Sequence, residues 1–208
     1  MSQKTMLLAL AAASFAMFAL PSAASAQEIH WTTISGNVTL TAESEPTITC
    51  ESADVTATPS GGGTTGSINF DITGCHITLF GITAKCHTTG SASDNTVMAK
   101  GTYHLITQSG SPAMLITMEP VVGICAGISN STIQGNVIGT ITSPACDVES
   151  KTMKIALSAT GSTQSDMEYT GAKYDLTATT GESGTAKTAG LTATVTVELA
   201  SAGKLECT

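Results

Sequence analysis

Arginine is absent from this 208-residue chain: all eight basic residues are Lys, set against sixteen Asp and Glu for a formal net charge of −8. Nucleic-acid binding draws on basic patches, usually rich in Arg, and an anionic membrane surface attracts positive segments. Neither is a fitting partner here. Without Arg, bidentate clamps on phosphate or carboxylate groups are also weakly served. No C-x-x-C pair occurs, which disfavours a redox oxidoreductase. No G-x-S-x-G elbow marks a nucleophilic hydrolase. The run Gly61-Gly62-Gly63 lacks the following Lys of a phosphate loop and reads as a linker. No cofactor motif is present, and the chain is expected to be non-enzymatic. The acidic balance suits solubility outside the cell.

Only one long apolar run exists, and it lies at the start. Lys4 precedes the run Met6 to Leu20, Pro21 breaks it, and Ala24-Ser25-Ala26 offers a small-x-small cleavage site. The run falls short of the roughly 20 residues that span a bilayer comfortably, and its flanks are those of a secretory signal peptide. The expected division is a signal over 1–26 and a secreted domain over 27–208, with no membrane span after signal removal. Losing Lys4 takes the formal charge from −8 to −9.

The remaining chain is rich in Thr, with Gly and Ser between, and shows no sustained 3.6-residue period. Thr is β-branched and fits solvent-facing strand positions. Ile68, Phe70 and Ile72 alternate with Asn69 and Asp71. Met153, Ile155, Leu157 and Ala159 alternate with Thr152, Lys154 and Ser158, and Ala193, Val195, Val197 and Leu199 with Thr194, Thr196 and Glu198. A period of 2 with one apolar face implies antiparallel strands packed on a core from one side. Further strands are expected over 31–41, 46–51, 54–58, 77–86, 97–107, 113–118, 132–142 and 173–179. Turns are expected at 59–66, at Ser109-Gly110-Ser111-Pro112 and from Gly181. Many short strands at this spacing predict an all-β, antiparallel sandwich or barrel. Ile34-Ser35-Gly36-Asn37-Val38 is echoed by Ile133-Gln134-Gly135-Asn136-Val137. Read as a duplication, this gives similar halves, 27–120 and 121–208.

Six cysteines, Cys50, Cys75, Cys86, Cys125, Cys146 and Cys207, all follow the signal. An even count in an exported chain implies disulfides, and six cysteines allow 15 pairings that sequence does not resolve. The expected set is Cys75–Cys86, the nearest pair, closing one turn; Cys146–Cys207, pinning the C-terminal strand; and Cys50–Cys125, tying the halves together. Cys75-His76 and Cys86-His87 could together supply two thiolates and two imidazoles to zinc or copper. Export favours cystine, however, and neighbouring strand residues face opposite ways. His30 would complete an amino-terminal copper-binding tripeptide, Glu28-Ile29-His30, only if Gln27 were also trimmed, so a solvated or edge-packed His is the simpler reading; His104 carries no partner pattern. The acid pairs Glu43/Glu45, Asp147/Glu149 and Asp166/Glu168 could bridge calcium, but no ligand loop surrounds them, so solvated turn charge is the simpler reading.

With Cys50, Gly74-Cys75 and Lys85-Cys86 in place, the chain resembles a group of small secreted bacterial proteins that are Thr/Gly-rich and cysteine-stapled. Cys125-Ala126-Gly127, Gly135-Asn136-Val137-Ile138-Gly139 and Ala189-Gly190-Leu191 strengthen that likeness. More distantly the layout is similar to PraB-type proteins, secreted factors linked to alkane oxidation and surface behaviour. Cys146 and Cys207 are additional to the usual pattern. The resemblance carries no catalytic residues. Two function classes remain. One is a non-catalytic secreted or surface protein with an adhesive, matrix or interface-active role, partnered by itself or by cell-surface components. The other is an extracellular or periplasmic β-barrel holding a small apolar ligand against strands such as Met114, Ile116 and Met118. An interior pocket of roughly 300 Å³ or more would favour the second.

Overall fold

The computed structural model describes residues 29–31, 37–60, 64–108, 110–127, 129–143, 148–165, 168–169, 172–173, 175–181 and 184–204. The expected signal segment 1–26, Cys146, Asp147, Asp166 and Cys207 lie outside these. No helix occurs among the described residues. The strands are β1 (Ile29–Trp31), β2 (Val38–Ala42), β3 (Ile48–Cys50), β4 (Ser52–Ser60), β5 (Thr65–Thr73), β6 (His76–Leu79), β7 (Ile82–Thr88), β8 (Val97–Gln108) and β9 (Ser111–Cys125). They continue as β10 (Ser129–Ser143), β11 (Glu149–Leu157), β12 (Ala159–Thr160), β13 (Thr163–Gln164), β14 (Glu168–Tyr169), β15 (Ala172–Lys173), β16 (Leu176–Thr180) and β17 (Lys187–Lys204).

Burial follows the alternation that the sequence carries. In β8, Val97, Ala99, Gly101 and Tyr103 are buried while Met98, Lys100, Thr102 and His104 are exposed. In β4, Ala53, Val55 and Ala57 point inward. Met153, Ile155 and Leu157 of β11 do the same, as do Ala193, Val195 and Val197 of β17. Each strand thus removes one apolar stripe from water and leaves a Thr-rich stripe in it. At β8 the Tyr103 ring lies over Gly66 of β5: a Cβ at Gly66 would stand 2.6 Å from a ring carbon, so only glycine admits this contact.

Thirteen strands join one antiparallel sheet that closes on itself. Passing sideways from β9, the ladder runs through β7, β6, β3, β2, β17, β11 and β10 and returns to β9. Strand β9 makes this possible by serving two neighbours along one flank. Its first part, Ser111–Met118, pairs with β8, and its last residues, Gly123–Cys125, pair with β7. From β8 the sheet branches on through β5 and β4 to β1. Short β16 bridges β10 and β17.

The inner faces of the ring and of the β4–β5–β8 branch share one core, in which Val55, Ile68 and Ala99 meet Val38, Ile77 and Val195. A smaller cluster of Ile106, Ala113, Leu115 and Ile138 lies apart from it, with Tyr169 of β14 packed against it. The unbroken buried run Ala113–Ile116 follows from having apolar cover on both faces.

Several expectations shift in detail. The ends of the connection expected over 59–66 are strand, Pro59 pairing with Gly66 and Ser60 with Thr65, while Gly61, Gly62 and Gly63 lie outside the described residues. Strand β9 runs through Pro120 from Ser111 to Cys125, so residues on both sides of that point build one sheet. The strand expected over 77–86 is a hairpin, because Phe80 and Gly81 take φ of 50° and 79° and reverse the chain. Two consecutive positive φ values make the two-residue turn whose twist matches antiparallel strands.

Candidate functional site: a cystine-framed hairpin

Strands β3, β6, β7 and β9 are lateral neighbours, and each carries or adjoins a cysteine at the same level. Cys50 ends β3, Cys75 precedes β6, Cys86 lies in β7 and Cys125 ends β9. They form a transverse row of four, joined as Cys50–Cys75 and Cys86–Cys125, with Cα separations of 4.0 and 4.1 Å.

The expected pairs Cys75–Cys86 and Cys50–Cys125 are therefore replaced. Cys75 and Cys86 are adjacent, but the Cys86 N–H donates to the Cys75 carbonyl at 2.8 Å. In an antiparallel ladder such a hydrogen-bonded position holds the two Cα atoms farther apart than the alternate position does. Each sulfur turns instead to its other neighbour. Cys50 and Cys125 stand at the two ends of the row and cannot meet. Cys146 and Cys207 lie outside the described residues. Disulfides of this kind form and persist in an oxidising compartment.

Beyond the row the β6–β7 hairpin projects to a tip. Thr78 faces Thr83 and Leu79 faces Ile82. Phe80 is 96% exposed and Ile82 67% exposed. A bulky residue with φ of 50° is held in a region that side chains seldom occupy. Turns of this type take Asn-Gly or Asp-Gly by preference, so the local rule yields here to an exposed aromatic.

One flank of the tip opens on a surface recess of about 660 Å³, bounded by Phe80, Ile82, Lys85, His87, Asp94 and the Ala126-Gly127 turn. Lys85 Nζ stands 3.6 Å from Asp94 Oδ2, both side chains being well exposed. The Asp94 carboxyl is held below the usual carboxylate range, first by a backbone hydrogen bond of its own residue and then by the Lys85 ammonium. His87 Nδ1 is buried with no hydrogen-bond partner among the described residues. His76 Nδ1 lies 3.0 Å from the Gly74 carbonyl oxygen, which requires its proton on that nitrogen.

The other candidates are dispersed. Cys75 and Cys86 are cystines and offer no thiolate beside His76 and His87. No group of three His, Cys, Asp or Glu side chains converges among the described residues. Glu45 Oε1 pairs with Lys187 Nζ at 3.1 Å, while Glu43 is exposed. His30 sits opposite Thr56 in β1, and His104 is exposed opposite Thr65. Ile116 and Met118 line an interior cavity of about 70 Å³, whereas Met114 packs elsewhere in the core. No helix of the described residues is long and apolar enough to cross a membrane.

The sequence implies a turn between Cys75 and Cys86 but leaves unassigned the tip at Phe80-Gly81. Its signal was a change of phase: the apolar positions are odd at Ile77 and Leu79 and even at Ile82, Ala84 and Cys86. That shift, centred on Phe80-Gly81, marks a turn inside an apparently continuous strand.

No protein-family model matches the chain, and no curated protein or solved structure matches it.

Proposed function

We propose that this is a non-catalytic secreted or cell-surface protein that acts at interfaces, adhering to apolar surfaces through the Phe80–Ile82 tip. The observation that carries this reading is an almost fully exposed aromatic on a hairpin bonded covalently to both neighbouring strands. An exposed apolar group on a rigid support is a contact element. A costly backbone conformation retained at such a point is a pointer to function. The likeness to Thr/Gly-rich secreted proteins, and at a distance to PraB-type factors, accords with a surface role. The interior cavity of about 70 Å³ is well below the roughly 300 Å³ that would favour the second class, a β-barrel whose role is to hold a small apolar ligand.

The test is adsorption of purified protein to an alkyl-terminated sensor, comparing the native chain with the double variant Phe80→Ser, Ile82→Thr. Retained amount should fall several-fold in the variant while its thermal unfolding stays cooperative. In cells lacking the protein, the native chain should restore attachment to a hydrophobic surface and the variant should not. Equal adsorption by both proteins would reject the tip as the adhesive element.

A further inference from the structure

The interior void carries an inference independent of the hairpin tip. It lies where the β5–β8–β9 wall faces β2, β3 and β17, among Leu40, Phe70, Ile72, Ala99, Met118 and Ala193. Its lining is apolar throughout. Protein interiors are packed like organic crystals and hold few voids larger than a water molecule. A space of about 70 Å³ exceeds the roughly 10–15 Å³ that one water requires. Yet a water there would meet none of the two to four polar partners it needs, so the space is dry.

The reason it stays open is architectural. A closed ladder fixes the distance between facing walls through its hydrogen bonds. Cys50, which borders the void, is further fixed by its bond to Cys75. Small side chains at Ala99, Gly123 and Ala193 leave the centre unfilled. Met118 adds an adaptable, polarizable wall.

We infer that this void is a binding site for one compact apolar molecule without hydrogen-bonding groups, of the size of xenon or a hydrocarbon of a few carbons. The size follows from comparison: cavities of roughly 150 Å³ lined by aliphatic side chains admit benzene or xenon, and this one has about half that volume. The driving force is recovery of the dispersion contacts that the lining atoms lack. Occupancy disturbs no hydrogen bond, because no polar group of the described residues faces the space.

Xenon is the direct probe. Methyl-detected NMR of the whole chain under increasing xenon pressure should show saturable shifts at Leu40, Ile72 and Met118, while Ile82 at the exposed tip stays unshifted. A filled variant supplies the second measurement. Gly123 borders the void, and a Cβ there meets nothing closer than the Ser131 carbonyl oxygen at 3.8 Å. Gly123→Ala combined with Ala99→Val should weaken xenon affinity at least several-fold. Shifts at the interior methyls that rise linearly with pressure, without saturation, would overturn the site in the native protein whatever the variant does. So would unchanged affinity in a folded variant, or saturation confined to the tip.

Discussion

Tyr103 concentrates the chemistry of the core at one residue. Its ring covers Gly66, and burial raises its phenol above the ordinary value of 10.0. The unfolded chain therefore loses this proton first as pH rises. The stability tied to the neutral phenol is fully present below pH 10.0 and is lost as pH climbs from there through the folded-state value. Urea midpoints measured from about pH 8 to pH 11 should fall more steeply above 10 in the native chain than in Tyr103→Phe. Equal slopes would mean that the buried phenol is not the titrating group. Gln164 shows the same economy in neutral form. Its buried side-chain amide accepts from the Leu191 N–H at 2.8 Å and donates to the Leu191 carbonyl at 3.0 Å, standing in for a missing strand neighbour.

Among the elements, the β6–β7 hairpin sets local stability against exposure. Phe80 occupies a left-handed position that costs an ordinary residue about 1–2 kcal/mol and that Asn tolerates better. Phe80→Asn should raise stability by about 0.5–1 kcal/mol, read as an upward shift of a few degrees in Tm, while lowering adsorption to an alkyl surface. A fall in Tm would show that the ring packs against the protein rather than reaching out. This hairpin also marks where sequence reasoning loses resolution. The strands over 67–72, 97–107 and 151–159 were legible because period 2 with one buried face is encoded residue by residue. The reversal at Phe80-Gly81 was obscured because its first position lacks the Asn or Asp that usually announces such a turn.

At the scale of the whole molecule, lateral order is the quantity that alternation does not encode. Nothing in the spacing of Cys50, Cys75, Cys86 and Cys125 states that β3, β6, β7 and β9 lie side by side. Nearness along the chain therefore favoured Cys75–Cys86. Once the order is known, the two bonds follow from the ladder. They close loops with sequence separations of 25 and 39 residues, and chain entropy assigns each about 3–4 kcal/mol. Replacing Cys50 and Cys75 together by Ala should cost about that much in chemical unfolding, and a loss under about 1 kcal/mol would place the stabilisation elsewhere. Non-reducing peptide mapping should recover Cys50–Cys75 and Cys86–Cys125. It should also link Cys146 to Cys207, since each stands three residues beyond the registered pair Glu149 and Lys204. Free thiol at either position would refute that third bond.

The transverse row of cysteines also has a mechanical meaning. A hairpin held by hydrogen bonds alone would peel from a sheet one bond at a time when its tip is pulled. Here a pull on Phe80 passes down β6 and β7 to two covalent crosslinks and is divided between β3 on one side and β9 on the other. Those strands belong to the closed ring, so the load spreads around the barrel wall and must shear many bonds at once.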